Sequence, residues 1–123
     1  MKPFKGKARE LTILIFEVLD TESPLNPYKI LKGIDLLCRK RKLKAPYLHM
    51  VTRRLRYLTD NGYLKLVYTE RKEGGQEVNF YELRAKVRLA KWLDETDLER
   101  FVKNITEEEA TSILSAIKKG NVA

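Results

Sequence analysis

Apolar residues recur at helical spacing in the first part of the chain. A first helix is predicted from about Ala8 to Asp20, because its apolar residues fall at i, i+3, i+4, i+7 and i+8: Leu11, Leu14, Ile15, Val18 and Leu19. Ile13 and Phe16 lie off this stripe. A helix with two apolar sides is buried on both, so a second packing partner is expected: either a C-terminal helix or another subunit.

Two further helices follow. Asn26-Pro27 predicts the N-cap and first position of a second helix that ends near Arg39. Gly33 lies inside it and is unfavourable there unless another backbone comes close. A third helix is predicted from about Pro46 to Asn61, with a buried side formed by Leu48, Val51, Leu55 and Leu58. At about 100° per residue, Arg53 points nearly opposite this side. Around it lie His49, Met50, Arg56 and Tyr57, with Arg54 at the border.

Beyond Gly62 the pattern changes to that of strands. Tyr63 to Arg71 and Val78 to Leu83 are rich in strand formers, and Gly74-Gly75 marks a hairpin turn between them. Helical spacing resumes from Arg84 to about Asp94, and a short helical segment follows. Thr106 to Glu109 predicts a capping box that opens a last helix, with Gly120 just past its end. The predicted fold class is therefore mainly α with a small β-hairpin.

Charge narrows the class of partner. The chain has 25 Lys and Arg against 17 Asp and Glu, a net charge of +8, which favours a polyanion such as nucleic acid or an anionic membrane surface. Many small domains are basic without such a partner, so the position of the charge matters more. Residues 36–59 contain no acidic residue, and six of their positions form the basic run RKRKLK, Arg39 to Lys44.

The residue pattern gives little indication that the chain is an enzyme. The sequence has no phosphate-cradling glycine loop, no His/Cys cluster and no carboxylate pair at a useful helical spacing. Glu107 to Glu109 are explained by helix capping. His49 has no second His or Cys nearby, so neither a metal site nor a cofactor is expected, and the chain is not expected to be an enzyme.

The compartment is expected to be intracellular, cytoplasmic and reducing. Cys38 is the single cysteine, which excludes an intramolecular disulfide and favours a buried small hydrophobic residue over a nucleophile. The apolar run LTILIFEVL follows a basic, Gly- and Pro-bearing lead-in, Met1 to Lys7, but it is interrupted by Glu17. It is also far shorter than the ~20 residues that span a bilayer, so no membrane segment is expected.

The order of three helices, a β-hairpin and a helix resembles a winged helix-turn-helix domain with additional C-terminal helices. ILIFEVLDTESPLNPYKILKGI, LRYLTDNGYL and NFYELRAKVR are similar to segments of PadR-type regulators. Thr52, Arg84 and Val87 depart from that family, where tyrosine, threonine and glycine are usual. MarR- and ArsR-type regulators, and small archaeal or viral ones, fit the same pattern.

The resemblance implies a sequence-specific regulator of transcription that binds double-stranded DNA as a homodimer. Residues 8–94 would form the DNA-binding domain, and residues 95–123 a C-terminal helical extension for dimerisation. Candidate dimer contacts are apolar residues of the first and C-terminal helices: Ile13, Phe16, Trp92, Phe101, Val102, Ile113 and Ile117. A small-molecule effector is compatible with this class, and no residue identifies one.

In this interpretation the third helix lies in the major groove and the hairpin is the wing. Arg53 is the first candidate for base contact, and His49 and Met50 are weaker ones, while Arg54, Arg56 and Tyr57 are assigned to phosphates. The basic run is assigned to phosphate contact through Arg39, Lys40, Arg41, Lys42 and Lys44. A solvated surface and a nuclear-import signal are its alternatives.

The wing offers Arg71 and Lys72 among acidic neighbours, so its contribution is expected to be smaller. The remaining aromatic residues are predicted to pack in the core or a dimer interface: Tyr28, Tyr47, Tyr63, Phe80, Tyr81 and Trp92. The alternative function is a winged-helix protein-interaction module within a larger nucleic-acid or transcription assembly.

Overall fold

A computed structural model describes residues 6–119 of the chain. Its elements, in order, are α1 Gly6–Thr21, α2 Pro27–Arg41, α3 Leu48–Asp60, β1 Leu64–Arg71, β2 Glu77–Leu83, α4 Ala85–Trp92, α5 Leu98–Asn104 and α6 Glu107–Lys118. This α+β order of three helices, a hairpin and further helices is the predicted winged-helix fold. Residues 1–5 of the basic lead-in, and Gly120 after the last helix, lie outside the described residues.

The first three helices pack against one another around an apolar core. The side chains that are completely or almost completely buried come from all three: Ile15, Leu19, Ile30, Ile34, Val51, Leu55 and Leu58. Burial of such a side chain contributes about 1.5–3 kcal/mol, so these positions dominate the stability of the helical part. Cys38 is also buried, as predicted for a small hydrophobic residue.

Gly33 of α2 packs directly against Val18 of α1. A Cβ atom on Gly33 would lie 2.8 Å from Cγ1 and 3.0 Å from Cγ2 of Val18. The sequence leaves open whether a backbone comes close at this glycine, and the structure places a β-branched side chain against it. Val18 is itself buried and stiff at χ1 in a helix, so it cannot easily move away.

The ends of α2 are fixed by local hydrogen bonds. At its start, the Lys29 N–H donates to Asn26 Oδ1 at 2.9 Å, which confirms the predicted N-cap. At its end, Lys42 adopts a left-handed conformation with φ of 56°, and the Leu43 N–H donates to the Cys38 carbonyl at 2.8 Å. The helix is two residues longer than predicted, while α3 begins two residues after the predicted Pro46.

The hairpin consists of β1 and β2, which form a two-stranded sheet. The Tyr68 and Phe80 rings stack across it with centroids 4.4 Å apart. The Lys72 N–H donates to the Gln76 carbonyl at 2.7 Å and closes the turn, where Gly74 and Gly75 have φ of +87° and +84°. The outer side of β2 pairs with Leu25, which exchanges two backbone hydrogen bonds with Tyr81.

Contacts divide the chain into two compact units, residues 1–82 and 83–123. In the second unit α4 packs against α5 and α6, and its core cluster is Ala85, Leu89 and Ala110. The boundary predicted after residue 94 falls between α4 and α5, and the dimerising role of the C-terminal extension stays a prediction. Among residues 6–119, no helix is both long enough and apolar enough to cross a bilayer.

Candidate nucleic-acid interface

The surface of α3 follows directly from its buried side. Val51, Leu55 and Leu58 are completely buried, so the opposite side of the helix faces solvent. At about 100° per residue, Arg53 lies near the centre of that exposed side, with His49 about 40° and Arg56 about 60° away from it. All three are exposed, as the periodicity predicts. The helix thus presents a basic face whose geometry is held by the core.

Arg54 is adjacent to Arg53 in sequence and has a different environment. Its guanidinium lies over the Tyr57 ring, with Cζ 4.8 Å from the ring centroid. Its Nη1 atom is buried and has no hydrogen-bond partner among residues 6–119. Both side chains are partly buried, so they lie at the edge of the exposed face, where the sequence placed Arg54.

The start of α3 carries an exposed aromatic pair. Tyr47 occupies the N-cap position and contributes no side-chain cap hydrogen bond within the described part of the chain. Its ring stacks on His49, with centroids 5.9 Å apart and planes tilted by 9°. Tyr47 is 62% exposed, so it is not a core residue, and its place in a dimer interface stays a prediction.

Of the other aromatic residues predicted to pack in the core or a dimer interface, some are buried and some are exposed. Tyr63, Phe80 and Tyr81 are buried as predicted, whereas Tyr28 and Trp92 are about half exposed and are not core residues. Tyr28 accepts a hydrogen bond from Gln76 Nε2 at 3.2 Å, which ties the hairpin turn to the start of α2.

The basic run leads from the end of α2 to α3 and is exposed throughout. Within it, Arg41 is paired with Glu17 of α1: Nη1 donates to Oε1 at 3.0 Å and Nη2 to Oε2 at 2.6 Å. This hydrogen bonding raises the pKa of the Arg41 guanidinium above its already high ordinary value. The charge of Arg41 is therefore balanced within the fold, which leaves Arg39, Lys40, Lys42 and Lys44 as the stronger cationic positions of the run.

A cleft of about 390 Å³ lies between α3, the hairpin and the start of α2. Thr52 and Arg56 line it from α3, and Leu66, Glu77 and Asn79 line it from the strands. Thr52 was not among the predicted site residues, although helical geometry places it only about 40° from Arg56. Its hydroxyl donates to the His49 carbonyl at 3.0 Å.

The hairpin carries less uncompensated positive charge than the helix. Arg71 Nη2 donates to Glu77 Oε1 at 3.0 Å, and both side chains are well exposed. Lys72, the other predicted wing cation, is exposed in the turn. Because an exposed ion pair is weak, Arg71 can exchange its partner at little cost.

The candidate dimer residues fall into two groups. Ile13, Trp92 and Ile113 are exposed and can contact another molecule without rearrangement. Phe16 is partly buried beside Tyr63, with ring centroids 6.4 Å apart, and Val102 is buried. Phe101 and Ile117 pack against the core cluster of the second unit. An interface formed by this structure would therefore use the first group.

The described residues contain no group of three or more His, Cys, Asp or Glu side chains that could hold a metal ion. Cys38 lies in the core, where burial raises the pKa of its thiol; Asp35 raises it further and Arg41 lowers it. A thiol with a raised pKa is a poor nucleophile, which agrees with its packing role.

Comparison with known proteins gives little further information. No protein-family model matches the chain. No curated protein matches it either. A solved structure with some similarity is the crystal structure of Streptococcus pneumoniae FabT in complex with DNA. It is 17% identical, the match covers 95% of this chain and 78% of that chain, and the TM-score is 0.39. A similarity of this size supports no conclusion about function.

Proposed function

We propose that this chain is a regulator of transcription that binds double-stranded DNA sequence-specifically, with α3 in the major groove. The observation that carries the proposal is the exposed basic face of α3, which has Arg53 at its centre and closely follows the exposed run Arg39 to Lys44 in the sequence. No acidic residue occurs in residues 36–59. A helix of about 10–12 Å diameter fits the major groove, which is about 12 Å wide.

The positions of the cations suggest that some contact a base and others contact phosphates. Arg53 is assigned to a base, because an arginine can bind guanine O6 and N7 with two hydrogen bonds and discriminate by about 1–3 kcal/mol. Arg56 faces the cleft between α3 and the hairpin and is assigned to a phosphate. The basic run is assigned to phosphates through Arg39, Lys40, Lys42 and Lys44. Affinity would then come largely from the run, and specificity from the helix.

The proposal includes a homodimer of the kind that PadR-like regulators form. Ile13, Trp92 and Ile113 offer exposed apolar contacts for a second copy. Two copies related by a two-fold axis would present two α3 helices to half-sites about 34 Å apart.

Two experiments test this function. Bound duplexes are first selected from a random library, and the affinity for a selected duplex is then measured at several salt concentrations. If Arg39, Lys40, Lys42, Lys44 and Arg56 each neutralise a phosphate, log K should fall with log salt at a slope of about −4.5 per protomer, since each contributes about −0.9. Absence of duplex binding by the folded protein, or flat salt dependence, would contradict the proposal and favour a protein-interaction module.

The variant Arg53→Ala tests the role of α3 itself. If Arg53 contacts a base, preference should relax at one base pair per half-site; if it contacts phosphate, affinity should fall evenly across sequences. Arg100→Ala is the matched control, because Arg100 is an exposed arginine of α5 and its loss removes the same charge. Equal effects of the two variants on sequence preference would show that Arg53 does not contact a base.

A further inference from the structure

Exposed apolar side chains lie in the middle of the basic surface at the start of α3. Leu43, Tyr47 and Met50 are 51%, 62% and 39% exposed, and they are interleaved with the cations of the basic run and with Arg53. Isolated exposed apolar residues need no explanation, but three within eight positions of a surface assigned to a polyanion do. If the surface contacted phosphates only, these positions would gain nothing from being apolar.

Met50 is the member of this set that is best placed to reach a base. It is the third residue of α3, and in helices of this kind the N-terminal residues contact base edges. By contrast, Leu43 precedes the helix, and the Tyr47 ring is held against His49. Met50 also has a flexible, unbranched side chain that can adapt to a groove surface.

Met50 and Arg53 lie close enough together on α3 to reach neighbouring base pairs. Three helical residues span about 4.5 Å along the axis and turn the side chain by about 60° from that of Arg53. Successive base pairs of DNA are separated by about 3.4 Å. The two side chains can therefore contact adjacent base pairs, Arg53 through hydrogen bonds and Met50 through an apolar contact.

We propose that Met50 is a specificity-determining residue that contacts a pyrimidine C5-methyl group in the major groove, next to the base pair contacted by Arg53. This inference rests on the proposed DNA-binding function. The methyl group of thymine is the apolar feature that the major groove offers, and apolar side chains recognise it by contact. A 5-methylcytosine presents the same group, so the proposed ligand chemistry is the methyl group itself.

The experiment removes the methyl group without changing base pairing. In a duplex selected by the full chain, each thymine is replaced in turn by deoxyuridine, and affinity is measured by fluorescence anisotropy. Burial of one methyl group corresponds to about a fourfold change in affinity. We expect one sensitive thymine per half-site, adjacent to the base pair at which Arg53→Ala relaxes preference.

The variant Met50→Ala should bind the thymine and deoxyuridine duplexes equally, because the contacting side chain is missing. Leu36→Ala is the matched control, since Leu36 is an exposed apolar residue of α2, and the fourfold sensitivity should persist in it. The inference would be overturned if Met50→Ala still bound the thymine duplex more tightly than the deoxyuridine duplex. It would also be overturned if no thymine replacement weakened binding by the wild-type protein. If no duplex is bound at all, the proposed function fails first.

A second comparison distinguishes the two sources of the methyl group. The sensitive T·A pair is replaced by C·G or by 5-methylcytosine·G. Tighter binding of the methylated duplex by the wild-type chain, and not by Met50→Ala, would show that the methyl group is recognised in either base. An equal loss with both duplexes would restrict recognition to thymine. A preference for methylcytosine that Met50→Ala retains would contradict the inference.

Discussion

Arg53 and Arg54 are adjacent in α3, but their side chains lie in different environments. Arg53 faces solvent opposite the core, whereas the guanidinium of Arg54 lies over Tyr57 with one nitrogen buried. Arg41 is a third case, because its charge is paired with Glu17. Arginines of one basic segment therefore differ in what they can offer a polyanion. The candidate site is defined by exposure and pairing as much as by charge.

Replacement of Gly33 by alanine tests how tightly α2 packs against Val18 of α1. Alanine favours a helix interior over glycine by about 1 kcal/mol, but here its Cβ would lie 2.8 Å from Val18 Cγ1. Overpacking costs about 1–3 kcal/mol, so Gly33→Ala should lower the free energy of unfolding by about 1 kcal/mol net. Urea denaturation measures it.

The control for this prediction is the same change beside a smaller neighbour. In a Val18→Ala background the clash is gone, and Gly33→Ala should become neutral or stabilising because only the helix preference remains. An identical effect of Gly33→Ala in both backgrounds would show that Val18 is not the cause.

At the scale of elements, helix ends carry contacts that periodicity does not reveal. Thr106 and Glu109 form the predicted capping box of α6, with reciprocal hydrogen bonds of 3.1 Å. Glu107 does something different: its carboxylate accepts hydrogen bonds from the backbone N–H groups of Ala85 and Lys86 at 3.0 and 3.1 Å. The first turn of α6 therefore also caps α4 and fixes the two helices to each other.

Glu107→Ala should destabilise the second unit more than Glu108→Ala. Both changes remove an acidic residue from the first turn of α6, but only Glu107 accepts hydrogen bonds from the start of α4 within the described residues. Loss of such a cap costs about 0.5–2 kcal/mol. The difference should appear as a lower Tm of Glu107→Ala in thermal unfolding followed by circular dichroism. Equal Tm values would mean that the cap contributes nothing.

At the scale of the whole molecule, the charge assigned to DNA and the apolar residues assigned to contact with a second copy come from different segments of the chain. The basic run and α3 carry the charge assigned to DNA, while Trp92 and Ile113 of the second unit carry apolar surface. The proposed assembly uses the first for the polyanion and the second, together with Ile13, for a second copy. Each can thus be disturbed without the other.

Trp92 is the single tryptophan and can report association. Because it is 53% exposed, its emission should shift to shorter wavelength as rising protein concentration drives a second copy onto it. Sedimentation should show a dimer over the same range. Ile113→Asp should weaken this dimer by placing a charge in an apolar contact, whereas Ser112→Asp, at the adjacent exposed position, should not. A wild-type chain that stays monomeric would contradict the proposal.

The sequence by itself determined the local features of this protein. Helix and strand positions, the Asn26 cap, the capping box of α6 and the exposed side of α3 all follow from residues within a few positions of one another. Tertiary structure alone decided the pairing of Arg41 with Glu17, the packing of Gly33 on Val18 and the capping of α4 by Glu107. The reason is physical: these contacts join residues 15 or more positions apart, and only packing of the helices brings them together.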